Sequence, residues 1–232
     1  MPNLTVKGFD SRDWSGVMPP GTGFRFFGGK LTEADYLPSP GRFERQLNSC
    51  KQLGLPVMAW HFHRGYTDPA VQVATYKREM LKLGLPNKLP AVLDLEDHLS
   101  TPSLRFVNNM YDTLRLMEDE FGEVLVYTAK WAFDRWMPFV QSQHDFWSRP
   151  LWESDPDPDT VEPGHWTKDD IRVLQKRLDF TPPGFNAKID EDWADEQWFL
   201  AHTGPSVPTP PQPTFEITLR VPAGVKVNIE EV

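Results

Sequence analysis

Short apolar runs alternate along the chain with longer stretches in which apolar residues recur every three or four positions. The runs near 5–10, 24–30, 57–62, 90–96, 124–129, 150–154, 171–178 and 187–191 read as strands. The helical periodicity lies near 40–53, 69–83, 102–121 and 192–200. Strands separated by helices are the pattern of a parallel sheet with helical crossovers. Pro40, Pro69 and Pro102 stand where a first helical turn tolerates a missing N–H, and Thr101 stands where an N-cap belongs. After the fifth strand the helical signal thins. Residues 130–140 hold one short helix, and 154–169, rich in Asp, Pro and Gly, reads as loop. The expectation is an α/β barrel over residues 1–203, regular in its first half and irregular in its second.

From Thr203 the pattern changes. Residues 204–213 are Pro-rich and read as a stiff, extended linker. Beyond them Phe215, Ile217, Leu219 and Val221 alternate with polar residues, as do Val225, Val227 and Ile229, with Pro222-Ala223-Gly224 as a turn between the runs. Residues 214–232 therefore read as an amphipathic β-hairpin. An isolated hairpin is marginal in water, so its apolar face is expected against the barrel or a second copy of the chain, giving a monomer or a weak homo-oligomer.

A chain of 232 residues, 39% hydrophobic and with nine Trp and fifteen Phe, is long and apolar enough for one large barrel core. The net charge of −9 and the lack of a basic stripe speak against a nucleic-acid partner. No apolar run reaches membrane-spanning length, so no membrane insertion is expected. The N-terminal segment has neither the basic nor the apolar region of a signal peptide, and synthesis in the cytosol is expected. Cys50, the single cysteine, falls at helical spacing with Phe43, Leu47 and Leu53 and reads as a core residue.

The chemistry concentrates at strand ends. Residues two apart on a strand face the same way, so Asp94 and Glu96 point together at the C-terminal end of the fourth run, where α/β barrels build active sites. Asp97 faces the other way. Ending a buried run, Leu89 to Leu93, in Asp-x-Glu-Asp costs desolvation energy that a structural strand avoids. Gly8-Phe9-Asp10 closes the first run and Ile189-Asp190-Glu191-Asp192 the last. In a closed barrel the first and last strands are neighbours, so Asp10 and Asp190 are expected to face Asp94 and Glu96 across one cleft. Glycoside hydrolysis needs a neutral carboxylic acid beside a negative field. Crowded carboxylates supply both, because crowding raises the pKa of one member while others stay ionised.

Further residues fill out the expected site. His61 and His63 share a strand face with Val57 and Ala59, expected to be the inward one, and His-x-His near aspartates is also a divalent-metal arrangement. Tyr127 and Trp152, near strand ends, are favoured as sugar-stacking surfaces over Trp60, Phe62 and Trp14. Lys30 is placed to pair with Asp10 or to meet a substrate carboxylate.

The ordered motifs Gly8-Phe9-Asp10, Lys30-Leu31-Thr32-Glu33, Met58-Ala59-Trp60-His61-Phe62, Leu93-Asp94-Leu95-Glu96, Val126-Tyr127-Thr128, Pro150-Leu151-Trp152 and Ile189-Asp190 resemble the glycoside hydrolase family 25 lysozymes. The likeness runs over roughly residues 5–200 and extends to phage-type endolysins. It implies an irregular, flattened TIM-like (β/α) barrel of about eight strands and about five helices. It also implies cleavage of the β-1,4 bond between N-acetylmuramic acid and N-acetylglucosamine in bacterial cell-wall peptidoglycan, with no cofactor and no metal. By motif match Glu96 takes the general-acid position, Asp94 that of the carboxylate assisting at the substrate acetamido group, and Asp10 and Asp190 those of the flanking aspartates. The match also makes His61 a cleft-lining residue. The chain departs from the family at Glu153-Ser154-Asp155, at Leu174-Gln175-Lys176, and at Asp192, where the family tends to have Asn. Asp192 is therefore expected to share or contest the role of Asp190 at the substrate. Two other readings stay open: a catalytically silent wall-binding or virion structural protein, and a metal-dependent deacetylase or amidohydrolase.

Overall fold

The computed structural model describes residues 2–12, 14, 22–86, 88–154, 163–183, 185 and 187–204. The expected linker beyond Gly204 and the hairpin at 214–232 lie outside the described residues, as does much of the expected loop at 154–169. Strands β1 (Leu4–Asp10), β2 (Phe27–Glu33), β3 (Val57–Phe62), β4 (Ala91–Asp94), β5 (Val124–Thr128), β6 (Leu151–Glu153), β7 (Ile171–Phe180) and β8 (Ile189–Asp195) close into a barrel in sequence order. Helices α1 (Arg42–Leu53), α2 (Pro69–Leu83) and α3 (Leu104–Phe121) cover its first half. The short α4 (Lys130–Phe133), a 3-10 turn at Met137–Phe139, and α5 (Glu196–Thr203) complete the described elements. This is the expected irregular barrel. Among the described residues no helix is long and apolar enough to cross a membrane.

Local chemistry sets the helix ends. Asp68 caps α2, its carboxylate accepting from the N–H groups of Ala70 and Val71 at 2.9 and 3.3 Å, with Pro69 in the first turn. For α3 the cap is Ser103, accepting from Phe106 N at 3.2 Å, and not Thr101 as the sequence suggests. The last helix begins at Glu196, later than read, because Asp192–Asp195 continues β8 and Asp195 supplies the cap to Trp198 N.

The central strands β3, β4 and β5 are apolar on both faces, so two cores form. Phe9, Phe27, Val57, Ala59, Ala91, Leu93, Val124 and Val126 point outward and pack on Phe43, Leu47, Cys50, Tyr76, Met80, Phe106, Met110 and Leu114 of the helices. Val6, Met58, Trp60, Val92, Leu125, Trp152, Val173 and Ala194 fill the barrel interior. Two corrections follow. The outward core takes Val57, Ala59 and His61, so the inward face of β3 is Met58, Trp60 and Phe62. And β8 runs antiparallel to both β1 and β7, whereas the remaining neighbours are parallel.

Strand β2 also begins three residues later than read. The pair Gly28-Gly29 inside it serves close approach. A Cβ at Gly28 would lie 2.5 Å from Trp152 Cη2 and 3.0 Å from Asp10 Cβ. Only a missing side chain lets the Trp152 indole reach under Asp10.

Candidate active site

The reversal of β8 decides which end of it meets the cleft. The C-terminal end of β1 lies beside the start of β8, with Asp10 opposite Asp190 and Gly8 opposite Asp192. Asp190 therefore reaches the same rim as the ends of the parallel strands, although it opens its strand and does not close it. Across the rim, β4 ends at Asp94, and Leu95 continues the ladder through its N–H to Tyr127 O at 2.9 Å. That extension keeps Glu96 on the inward face with Asp94. Asp10, Asp94, Glu96 and Asp190 consequently line one cleft of about 320 Å³, together with Lys30, Trp60, Phe62 and Tyr127. This volume is at the lower end of the range of small-molecule sites.

Each carboxyl is held differently. The Glu96 N–H donates to Asp94 Oδ1 at 3.1 Å, tying the two acids together. Ser154 donates its hydroxyl to Glu96 Oε1. Burial pushes the Glu96 carboxyl up to about 7, against the opposing pull of the Ser154 hydrogen bond and the Lys30 charge. Burial, and then the charge of Glu96, raises Asp94 well above the usual carboxylate range. Asp10 is raised by burial and then by Asp190, while Gln175 Nε2 donates to it at 2.9 Å. Asp190, more open, is raised by burial and accepts the Asp179 N–H at 2.6 Å. Asp179 has a positive φ of 52° beside an irregularity in the β7–β8 pairing, and this kink presents its N–H to Asp190.

Lys30 does not pair with Asp10. Its ammonium lies 3.0 Å from Glu33 and 4.0 Å from the Phe62 ring centroid. Glu33 in turn meets Arg64 at 2.6 Å, and Arg64 meets Asp97 at 2.7 Å, so a chain of alternating charge starts from the cleft-lining Lys30. Asp97, on the other face from Asp94 and Glu96, serves this chain and its own loop, accepting from Leu99 N and Ser100 N.

The structure separates the remaining expected residues. Tyr127 is at the cleft, its ring parallel to Trp60 within 3° at 6.2 Å. Trp152 lies beneath, fully buried, edge-on to both rings, with its indole N–H on Asp192 Oδ1 at 3.1 Å. Asp192 is itself wholly buried, one layer below Asp190, and does not reach the cleft surface. Trp14 is buried in the outer core against Phe9. His61 is not in the cleft: Thr32 Oγ1 sits 2.8 Å from its Nδ1 and Gln72 Oε1 3.1 Å from its Nε2, between β3 and α2. Burial lowers His61 to about 4 and His63 to about 3, so both are neutral. His63 packs on Phe106, and the His-x-His pair faces away from the four acids. Ser154, Gln175 and Asp179 escaped the sequence reading as site residues. Only Gln175 carried a signal, as the loose counterpart of a family motif.

No family model matches the sequence, and no curated protein matches it. Solved structures do resemble it. The CTP1L endolysin is 17% identical with a TM-score of 0.67, the match covering 86% of this chain and 70% of that one. A family 25 glycosyl hydrolase from Bacillus anthracis is 19% identical with a TM-score of 0.65, covering 87% and 95%. A muramidase from Trichobolus zukalii is 18% identical with a TM-score of 0.67, covering 86% and 100%. The closed, irregular eight-stranded barrel of this chain is the fold of the family 25 glycoside hydrolases.

Proposed function

We propose that this chain is a muramidase that hydrolyses the β-1,4 bond between N-acetylmuramic acid and N-acetylglucosamine in peptidoglycan, and so acts on the bacterial cell wall. The observation that carries the proposal is Glu96. Burial brings its carboxyl up to about 7, beside three further acids in one open cleft. A carboxylic acid that keeps its proton near neutrality can deliver it to a leaving glycosidic oxygen. The neighbouring acids oppose loss of that proton and offer negative potential to an oxocarbenium-like centre.

The other roles follow from position. Asp94, fixed by the Glu96 N–H, is the assisting carboxylate beside the acid. Asp10 and Asp190 flank the reacting ring from the opposite wall. Tyr127 and Trp60 offer sugar-facing aromatic surface, and Lys30 supplies the cation nearest the acid pair. The likeness to an endolysin and to a muramidase supports this assignment.

The test is release of reducing ends from purified wall by wild type and by Glu96→Gln. Wild type should clear the wall, with activity falling as pH rises through about 7. Glu96→Gln should lose roughly 10²- to 10⁴-fold in rate while folding normally. Binding to wall without release of sugar by wild type would replace this proposal with the silent wall-binding reading.

A further inference from the structure

Beneath the cleft, the pairing of β1 with β8 places Asp192 opposite Gly8, two residues along β8 from Asp190, which pairs with Asp10. Asp192 is 0% exposed. One carboxyl oxygen accepts the Trp152 indole N–H at 3.1 Å. The other, Oδ2, is buried, and among the described residues no N–H or hydroxyl donor reaches it. The Asp192 carboxyl lies within hydrogen-bonding reach of the carboxyl of Asp10, which also accepts Gln175 Nε2 at 2.9 Å. Two carboxylate anions have only lone pairs to offer each other. Contact between them in a dry interior requires a proton on one member.

We propose that Asp192 is a positioning residue: it carries that proton and donates it to Asp10, holding Asp10 as an oriented carboxylate at the cleft wall. The catalytic consequence rests on the muramidase reading, whereas the shared proton does not.

The surroundings decide which member keeps the proton. Asp10 borders the cleft, where its charge is partly hydrated, whereas Asp192 lies beneath it. The charged and titratable groups facing the pair are Asp190 on β8, Asp94 and Glu96 at the end of β4 and Tyr127 on β5, and around the cleft that Asp10 borders stand Lys30 on β2, Arg12, Asp179 and Lys188. From β6 and β7 the pair meets the neutral Trp152 and Gln175. The acids all favour retention of the proton. Of the cations at the cleft, Lys30 is engaged by Glu33 and Lys188 lies 3.6 Å from Asp179.

Asparagine at this position is the diagnostic substitution, because its amide donates to Asp10 at every pH and its carbonyl still accepts from Trp152. Thermal midpoints of wild type and Asp192→Asn are measured from pH 5 to 8.5, alongside wall hydrolysis by both and by Asp192→Ala. A carboxyl whose folded form holds its proton more tightly than the unfolded chain favours the fold at low pH, and that advantage is lost as pH rises through the folded pKa. Wild type should therefore lose thermal midpoint with rising pH more steeply than Asp192→Asn. Asp192→Ala should lose ~100-fold in kcat through misplacement of Asp10. Asp192→Asn should recover most of that loss, with its alkaline decline beginning at higher pH than in wild type.

Equal pH slopes for wild type and Asp192→Asn overturn the shared proton, and an Asp192→Asn as impaired as Asp192→Ala overturns the positioning role. If Asp192→Ala does not fold, the two slopes and the pH profile of Asp192→Asn decide. A wild type that releases no sugar sinks the muramidase reading but leaves the thermal comparison to rule on the proton.

Discussion

The Ser154 hydroxyl donates to Oε1 of Glu96, so the acid at the end of β4 is steadied from the end of β6, across the barrel rim. That hydrogen bond favours the ionised form and works against the burial that raises Glu96. Ser154→Ala should make Glu96 hold its proton to higher pH, moving the alkaline limb of kcat/KM upward. It should also cost roughly tenfold in kcat, a fraction of what a positioned acid contributes. A pH–rate profile of the variant checks both, and an unmoved limb would show that Ser154 does not govern the acid.

Glu96 also links stability to pH. Its carboxyl rises from 4.5 to about 7 on folding. Below pH 4.5 both states are protonated. Between these values the native state keeps a proton that the unfolded chain has released, so stability declines as pH rises through that window. Glu96→Gln removes this term. In urea titrations it should match wild type near pH 4 and exceed it at pH 8 by on the order of 3 kcal/mol. A difference of the same size at both pH values would contradict the buried, proton-holding acid.

Gly28 leaves the space that Trp152 occupies. Gly28→Ala sets a Cβ 2.5 Å from the buried Trp152 ring. The indole must move, at a cost of about 1–3 kcal/mol, and its hydrogen bond to Asp192 goes with it. Loss of both stability and wall hydrolysis is the expected outcome. Gly54→Ala is the comparison: its φ of 70° makes alanine strained, but nothing lies within 4 Å of the added carbon. It should lose about 1 kcal/mol with hydrolysis unchanged. Equal catalytic losses in the two variants would detach Gly28 from the site.

Arg64 is the hub of the charged chain, bound to Glu33 at 2.6 Å and Asp97 at 2.7 Å. Hydrogen bonds from Arg64 are a leading cause holding Glu33 below the usual carboxylate range, and those from Ser100 and Arg64 do the same for Asp97, in both cases against the cost of burial. Their contribution to stability is present above the normal carboxylate range and is lost as pH falls through their depressed values. Arg64→Leu should cost ~3 kcal/mol at pH 7, because it strands the buried Asp97 and leaves Glu33 with Lys30 alone. The penalty should shrink toward pH 3, as unfolding at the two pH values would reveal.

The fold and the acids were legible to different depths. Alternation alone put Asp94 and Glu96 on one face, since a strand leaves no other arrangement for residues two apart. The same rule could not say which face of β3 is inward. A strand covered on both sides carries no polar alternation, and Val57, Ala59 and His61 read as plausibly inward as Met58, Trp60 and Phe62. The helical core against α2 decided it, and with it the burial of His61 away from the cleft. Nor does periodicity carry direction. Asp190 was expected at the end of a strand, and it reaches the cleft because β8 is reversed and begins there. Ser154 and Gln175 are single polar residues whose meaning is a distance to an acid far along the chain.

What the sequence by itself determined is the set of strands and helices, and the pairing of Asp94 with Glu96, because both follow from repeat geometry over a few residues. Tertiary structure alone decided the layering of the acids, with Asp190 at the rim and Asp192 sealed beneath it against Asp10. The reason is physical: both share a strand face, and only closure of β8 against β1, with Trp152 filling the floor, gives one of them water and the other none.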